Sequence, residues 1–269
     1  MPITSTTVPI DADSTGNRWT ITDENELARL VGIVLKCEFG HAEAILQNLV
    51  IAAPSYTPAE TRNMKADVKK ALTVKIDAAT GKEERRTPKW HRDGLLFEAI
   101  SWIVARKHAS PDTLLRDPHI GATTQGLDGL MIELNTAKDD VIATTVFEDK
   151  CTEDAGTTFA NKTLPALKEH HIKHRKVLES ATTMLRQEFK ASTLNAMAAK
   201  TIGINIRKYR SSLTIDISED NPTARQRIFK KYTELTGISQ SARIGCTFIT
   251  SNNMRDWFEA FAKKVILTL

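Results

Sequence analysis

The fold is decided by two stretches of sequence, GLDGLMIEL at residues 126–134 and VIATTVFEDKCTE at residues 141–153. Both are mostly apolar, and a polar turn separates them, so we predict a β-hairpin with strands over residues 127–134 and 142–151. A strand that enters a core seldom carries charge, because an unpaired buried charge is costly. The charges at the outer ends of the two strands therefore call for a functional explanation.

The charged residues of the hairpin suit a metal site. Successive strand residues point to opposite faces, so Glu148 and Lys150 share one face while Asp149 points away. If the strands pair, Asp128 lies beside Glu148. Mg²⁺ prefers one or two carboxylates together with waters and phosphate oxygens. We therefore predict that Asp128, Glu148 and Lys150 are catalytic with Mg²⁺ or Mn²⁺, and that loss of Asp149 affects the chemistry less. The alternative is a Glu148–Lys150 ion pair on a surface strand.

The rest of the chain alternates between helical and strand periodicity. We predict helices over residues 23–36, 41–53, 57–72, 93–106, 164–190, 194–200, 223–235 and 254–266, and further strands over 74–76, 213–217 and 244–250. These elements predict an α/β fold, a mixed sheet flanked by helices. Residues 1–85 are predicted to form a mostly helical N-terminal module, and residues 86–269 the α/β core.

The composition is that of an ordinary globular protein, with 269 residues of which 41% are hydrophobic and 26% charged. No apolar run approaches the roughly 18 residues that span a bilayer, and the N-terminus lacks a secretory pattern. The three cysteines are scattered, which argues against a disulfide framework and against a structural zinc site. We therefore expect a cytoplasmic protein that does not engage membranes.

The positive charge is concentrated in one part of the chain. Residues 162–210 contain eleven Lys and Arg against three Glu. Basic residues gathered in this way suit a polyanion such as DNA, because each phosphate contact releases counterions. The candidate DNA-binding residues are Lys173, Lys176, Arg207 and Lys208. A solvated lysine-rich helix face is the alternative.

The spacing of Asp128 from Glu148-Asp149-Lys150 resembles the D…(D/E)xK pattern of the PD-(D/E)xK nuclease superfamily. The order of helix, hairpin, motif, helix and strand also resembles the core of that family. The resemblance implies that Asp128 and Glu148 bind the metal, that Lys150 assists catalysis, and that Glu98 joins them from the preceding helix. Leu127 stands where the family has proline.

The flanking residues extend the resemblance. His119-Ile-Gly121, the GLDGL motif at 126–130 and VFEDKCTE at 146–153 resemble the HamA family, the nuclease subunits of the Hachiman antiphage defence system, from about residue 93 onward. The resemblance implies a superfamily-2 helicase partner, HamB, which holds the nuclease inactive until it senses aberrant DNA. Residues 1–85 are then a possible partner-binding region. The alternative function is a catalytically silent subunit that binds DNA or the helicase.

Three other features of the sequence have possible functional interpretations. Residues 121–126 have the glycine spacing of a phosphate loop, but Leu127-Asp128 stand where Lys-Ser/Thr is needed, so we expect no ATP site of this kind. His170 and His174 lie one helical turn apart and can hold a metal, although histidines among lysines favour a solvated face. His119 either lines the same cleft as Asp128 or is a structural loop residue.

Overall fold

A computed structural model describes residues 2–78, 80–83, 88–119, 126–251 and 253–269. The α-helices within these residues are α1 (Glu24–Leu35), α2 (Phe39–Leu46), α3 (Pro58–Leu72), α4 (Lys89–His108), α5 (Ala155–Thr158), α6 (Leu164–Ile172), α7 (Arg175–Leu185), α8 (Ala191–Lys200), α9 (Pro222–Phe229) and α10 (Met254–Thr268). The strands are β1 (Ile3–Pro9), β2 (Thr15–Ile21), β3 (Thr113–Leu115), β4 (Gly129–Leu134), β5 (Val141–Lys150), β6 (Arg207–Asp216) and β7 (Arg243–Thr250).

The described strands form one mixed sheet in the order β1-β2-β7-β6-β5-β4-β3. The four central strands β2, β7, β6 and β5 run parallel to one another, while β1, β4 and β3 are antiparallel to their neighbours. Helices cover the two faces of this sheet, which confirms the predicted α/β fold with a flanked mixed sheet.

Each face of the sheet has its own apolar core. On one face, α1, α4 and α10 pack over residues such as Trp19 and Phe248. On the other face, α6, α7 and α9 pack over Val146 and Tyr209. Strand β5 lies between the two cores, which explains why most of it reads as a continuous apolar run rather than an alternating one.

The predicted hairpin is confirmed as β4 and β5, with Gly129 opposite Phe147 and Met131 opposite Thr145. This register brings Asp128, which precedes β4, to the end of β5 that carries the charges. Gly129 is required here, because a Cβ at this position would lie 2.5 Å from the Phe147 ring. The glycine lets the ring pack closely against the start of β4.

The first third of the chain differs from the prediction. Helices α1 and α3 are found close to their predicted bounds, and α2 ends earlier than expected. Strands β1 and β2 were not predicted, and β2 joins the central sheet beside β7. Residues of α1 and α3 share one core with α4 and α10. The division of the chain at residue 85 into two functional units stays a prediction.

Other element predictions need correction. Residues 74–76 form only an isolated bridge between Ile76 and Glu83, and β3 was not predicted. The predicted helix over 164–190 is wrong as a single element, because Lys173 adopts an extended backbone that separates α6 from α7. Helix α5 continues into a π-helix over Phe159–Thr163, a variant that is common next to functional sites.

A buried ion pair ties β5 and β6 to α4. Arg210 Nη2 lies 3.0 Å from Asp149 Oδ2, and both side chains are less than 10% exposed. Ser101 of α4 donates a hydrogen bond to Asp149 and accepts one from Arg210. The Arg210 guanidinium also lies 3.5 Å from the centroid of the Phe147 ring. Asp149 points away from Glu148 as predicted, but towards a structural partner rather than solvent.

We predict that Asp149→Ala lowers the free energy of unfolding by about 3–5 kcal/mol, because it leaves the Arg210 charge buried and unpaired. Urea unfolding followed by circular dichroism measures this. The double variant Asp149→Leu with Arg210→Met removes both charges and should recover most of the loss. A single variant as stable as the wild type would show that the pair does not hold the sheet to α4.

Candidate active site

The structure brings together the three residues that the hairpin motif selects. Asp128 Oδ2 accepts a hydrogen bond from Lys150 Nζ and another, of 2.8 Å, from the backbone N–H of Asp149. Lys150 Nζ also lies 3.0 Å from Glu148 Oε2. One ammonium group therefore bridges two carboxylates at the open end of the β4–β5 hairpin.

Burial and mutual contact shift the pKa values of this cluster. Burial and the nearby Glu148 charge raise the pKa of Asp128 to about 7, although Lys150 acts in the opposite direction. Burial also disfavours the Glu148 carboxylate, but hydrogen bonds from His170 and Lys150 outweigh it and hold the Glu148 pKa below its usual range. Burial opposes the Lys150 charge, yet the two carboxylates raise the pKa of Lys150 above normal. The cluster therefore keeps its lysine protonated at neutral pH.

His170 supports Glu148 from inside the protein. Its Nε2 lies 3.2 Å from Glu148 Oε1, and both side chains are only 4% exposed. The expectation of a solvated histidine face is wrong for this residue. The signal was present in the sequence, because Leu164, Leu167 and His170 follow one another at intervals of three on the buried side of α6.

His174 does not join His170. It lies at the start of α7, where its Nδ1 is 3.0 Å from Arg207 Nη1. The two histidines therefore have different partners and do not form the metal pair that their spacing allowed.

Glu98 reaches the same region from α4. Its Oε1 accepts a 2.6 Å hydrogen bond from the backbone N–H of His119 and lies 3.2 Å from His119 Nδ1. Glu98 and His119 line a cleft of about 430 Å³ together with Asp128 and Lys150. His119 therefore lines the same cleft as Asp128, while a functional role for it stays a prediction. The Ile120–Gly121 part of its motif lies outside the described residues, as do most of residues 121–126.

The donor set fits a hard divalent cation. Within the described residues, no group of three or more His, Cys, Asp or Glu is close enough to enclose a metal. Mg²⁺ does not require such a cage, because it keeps several waters and takes one or two carboxylates plus phosphate oxygens. Asp128 and Glu148 supply oxygen ligands of this type, and both already contact one cation, the Lys150 ammonium.

The four candidate DNA-binding residues do not lie on one surface. Lys173 and Lys176 are exposed. Arg207 is buried, and its Nη1 donates to the His171 carbonyl oxygen at 3.3 Å. Lys208 points to the other face of the sheet, 3.3 Å from Glu133. The choice of Arg207 as a surface contact is therefore wrong, because basic composition does not reveal burial.

The basic end of β6 is also distant from the cluster. Arg207 pairs with Thr144, six residues before Lys150 on β5, which corresponds to about 20 Å at roughly 3.3 Å per residue. The cations that line the cleft itself, besides Lys150, include Lys162 and Arg255, neither of which was selected from the sequence.

Comparison of the chain with protein-family models, with curated proteins and with solved structures finds no match. None of the helices in the described part of the chain combines the length and apolar character needed to cross a membrane. Function is therefore inferred from the geometry and chemistry of the cluster.

The pKa shifts generate a prediction for stability against pH. Lys150→Met removes the cation that both carboxylates share. The resulting loss in the free energy of unfolding should grow as the pH rises through about 7, where Asp128 ionises. We expect a loss of about 2–3 kcal/mol at pH 8, less than for a fully enclosed pair because Lys150 is 32% exposed. At pH 5 Asp128 is protonated, so the loss should be smaller.

Denaturant unfolding at both pH values measures this difference. Lys200→Met is the matched control, since Lys200 pairs with Asp140 on an exposed surface and should change stability little at either pH. An equal loss for Lys150→Met at pH 5 and pH 8 would contradict the assignment of a shared charge.

Proposed function

We propose that this chain is a metal-dependent DNA nuclease of the PD-(D/E)xK type, which hydrolyses phosphodiester bonds. The observation that carries the proposal is the Lys150 ammonium held between the carboxylates of Asp128 and Glu148 at the edge of a cleft. The order of elements supports it: α4, the antiparallel strands β3–β5, helices, and then β6 parallel to β5. This is the order expected from the resemblance.

The energetic cost of the cluster favours a nuclease over a silent binding subunit. Glu148 is 3% exposed, and burying a carboxylate beside a second one is expensive unless cations compensate. A subunit that only binds DNA or a helicase gains nothing from this arrangement. A metal-dependent phosphodiesterase has a use for it, because its carboxylates bind a divalent cation next to a positively charged group.

The residues of the cluster have separable roles in this mechanism. Asp128 and Glu148 would hold Mg²⁺ or Mn²⁺, which when bound neutralises charge on the phosphodiester and lowers the pKa of a water ligand. The Lys150 ammonium lies beside both carboxylates, where it can donate hydrogen bonds to phosphate oxygens or position the attacking water. His170 keeps Glu148 in position from behind. Glu98 and His119 also line the cleft.

The proposal predicts that Asp128→Asn, Glu148→Gln and Lys150→Ala each reduce DNA cutting at least about 100-fold, because each removes a group that stabilises developing charge. Plasmid degradation with Mg²⁺ or Mn²⁺ measures this, and EDTA should stop the wild-type reaction. Melting temperatures identify variants that fail to fold.

The control for this series is Asp140→Asn with Lys200→Ala. These residues form another carboxylate–lysine contact, exposed and at the opposite end of β5. This double variant should cut DNA at the wild-type rate. Wild-type rates in Glu148→Gln or Lys150→Ala would show that the site assignment is wrong.

We further propose that the nuclease works as a subunit of an antiphage defence complex, held inactive by a superfamily-2 helicase. A nuclease without sequence preference endangers its own chromosome, so its activity must be restrained. An apolar segment supports a partner surface within residues 1–85: Leu49, Val50 and Ile51 are 56%, 103% and 47% exposed. Consecutive exposed apolar residues of this kind mark interaction sites.

This proposal predicts that Val50→Asp weakens the complex with the helicase, because a charge at an apolar interface must be desolvated. Co-purification of the two proteins measures assembly. Cells that express the nuclease with its helicase should grow normally, and Val50→Asp should restore the toxicity of the free nuclease. Leu267→Asp is the matched control, since Leu267 is 86% exposed but lies in α10. Equal assembly of the wild-type and Val50→Asp proteins would exclude this surface.

A further inference from the structure

One face of α4 forms a wall of the cleft. Trp90, Gly94 and Glu98 recur at intervals of four, so they lie one above another on the same side of the helix. All three line the cleft that holds Asp128 and Lys150. At about 1.5 Å per residue, the row from Trp90 to Glu98 spans about 12 Å.

Trp90 presents an aromatic surface to solvent at the outer end of this row. Its side chain is 61% exposed, whereas Trp19 and Trp102 are buried. The one ring contact found for it among the described residues is with its neighbour His91. Packing in the core therefore does not explain the choice of tryptophan at this position.

Gly94 leaves the middle of the row empty. A Cβ built at Gly94 would meet no atom within 4 Å, and the residue has an ordinary helical backbone. Glycine is a poor helix former compared with alanine, so it weakens α4 without relieving a clash. Its effect is to leave a gap in the cleft wall between Trp90 and Glu98.

The cleft also includes positive charge. Lys162 is exposed on the π-helix and forms no salt bridge with the described residues. Lys150 also lines the cleft, beside Asp128. A chain of phosphates running along the α4 face would therefore meet cations within the cleft, next to the carboxylates of Glu98 and Asp128.

We propose that the α4 face is a track for a single DNA strand, on which an unpaired base stacks on Trp90 and the backbone crosses Gly94 towards Lys150. This proposal rests on the proposed nuclease function and names the form of its substrate. Stacking on an exposed indole requires a free base face, so the site takes single-stranded or frayed DNA in preference to an intact duplex. The 12 Å row corresponds to about three nucleotides at the ~3.4 Å rise of a stacked strand.

The decisive variant is Gly94→Leu, which fills the gap but improves the helix. We expect an unchanged or higher melting temperature together with at least about 10-fold weaker binding of a labelled single-stranded oligonucleotide in EDTA, measured by fluorescence anisotropy. A structural role for Gly94 would give a lower melting temperature instead. Gly40→Leu is the control, because Gly40 is another helical glycine with no atom near its Cβ, but lies exposed in α2 rather than in the cleft.

Trp90→Ala tests the stacking step. We expect about 5- to 100-fold weaker binding of the single strand, a smaller effect on a blunt duplex, and partial retention in Trp90→Phe. Tyr56→Ala, which removes another exposed aromatic side chain outside the cleft, should bind as the wild type does.

The outcomes separate this proposal from the nuclease assignment. If wild-type protein cuts DNA and both Gly94→Leu and Trp90→Ala bind and cut as it does, the track is wrong and the nuclease stands. If both variants lose binding but the wild type never cuts with any metal, the track stands and the nuclease assignment fails. Equal losses on single strands and blunt duplexes would overturn the preference for unpaired bases.

Discussion

The ammonium group of Lys150 is the interaction on which the arrangement of this site depends. Two carboxylates, Asp128 and Glu148, approach the same ammonium group, which opposes the effect of burial and mutual repulsion on their pKa values. The antiparallel register of β4 and β5 enforces this approach, and the backbone N–H of Asp149 fixes one oxygen of Asp128. In the proposed nuclease, a divalent cation would take over part of this charge balance.

The run Glu148-Asp149-Lys150 places two separate charge systems on the two faces of one strand. Glu148 and Lys150 belong to the carboxylate–lysine cluster, while Asp149 meets Arg210 and Ser101 beneath α4 and also lines the cleft. Because strand residues alternate, the adjacent charges meet different partners, although the Asp149 charge also contributes to the raised pKa of Asp128. The buried pair holds α4 against the sheet, and α4 in turn carries Glu98 and the outer wall of the cleft. The stability of the fold and the geometry of the site are thus coupled through neighbouring residues.

Elements that follow from local sequence patterns could be predicted. Elements and buried residues that depend on contacts between distant parts of the chain could not. The β4–β5 hairpin follows from two apolar runs joined by a polar turn, and its register follows from burial. Strand β2 was missed because TGNRWTI is largely polar and becomes a strand by pairing with β7, more than 220 residues away in sequence. Arg207 and His170 were misjudged for a related reason, since their burial depends on how α6 packs against β5 and β6.

The separation of the basic helices from the cleft bears on how the proposed nuclease would hold DNA. Lys173 and Lys176 flank the corner between α6 and α7, near the end of β6 that lies about 20 Å from Lys150. One turn of duplex spans about 34 Å, so flanking duplex can reach this corner while a single strand occupies the cleft. Contacts to phosphates at the corner would supply affinity without sequence preference. The cleft would then determine which phosphodiester is cut, because the α4 row from Trp90 to Glu98 lines the same cleft as Asp128 and Lys150. In this arrangement, DNA in which a duplex continues into a single strand would contact the α6–α7 corner and the cleft at the same time. Neither a duplex nor a single strand alone would do so.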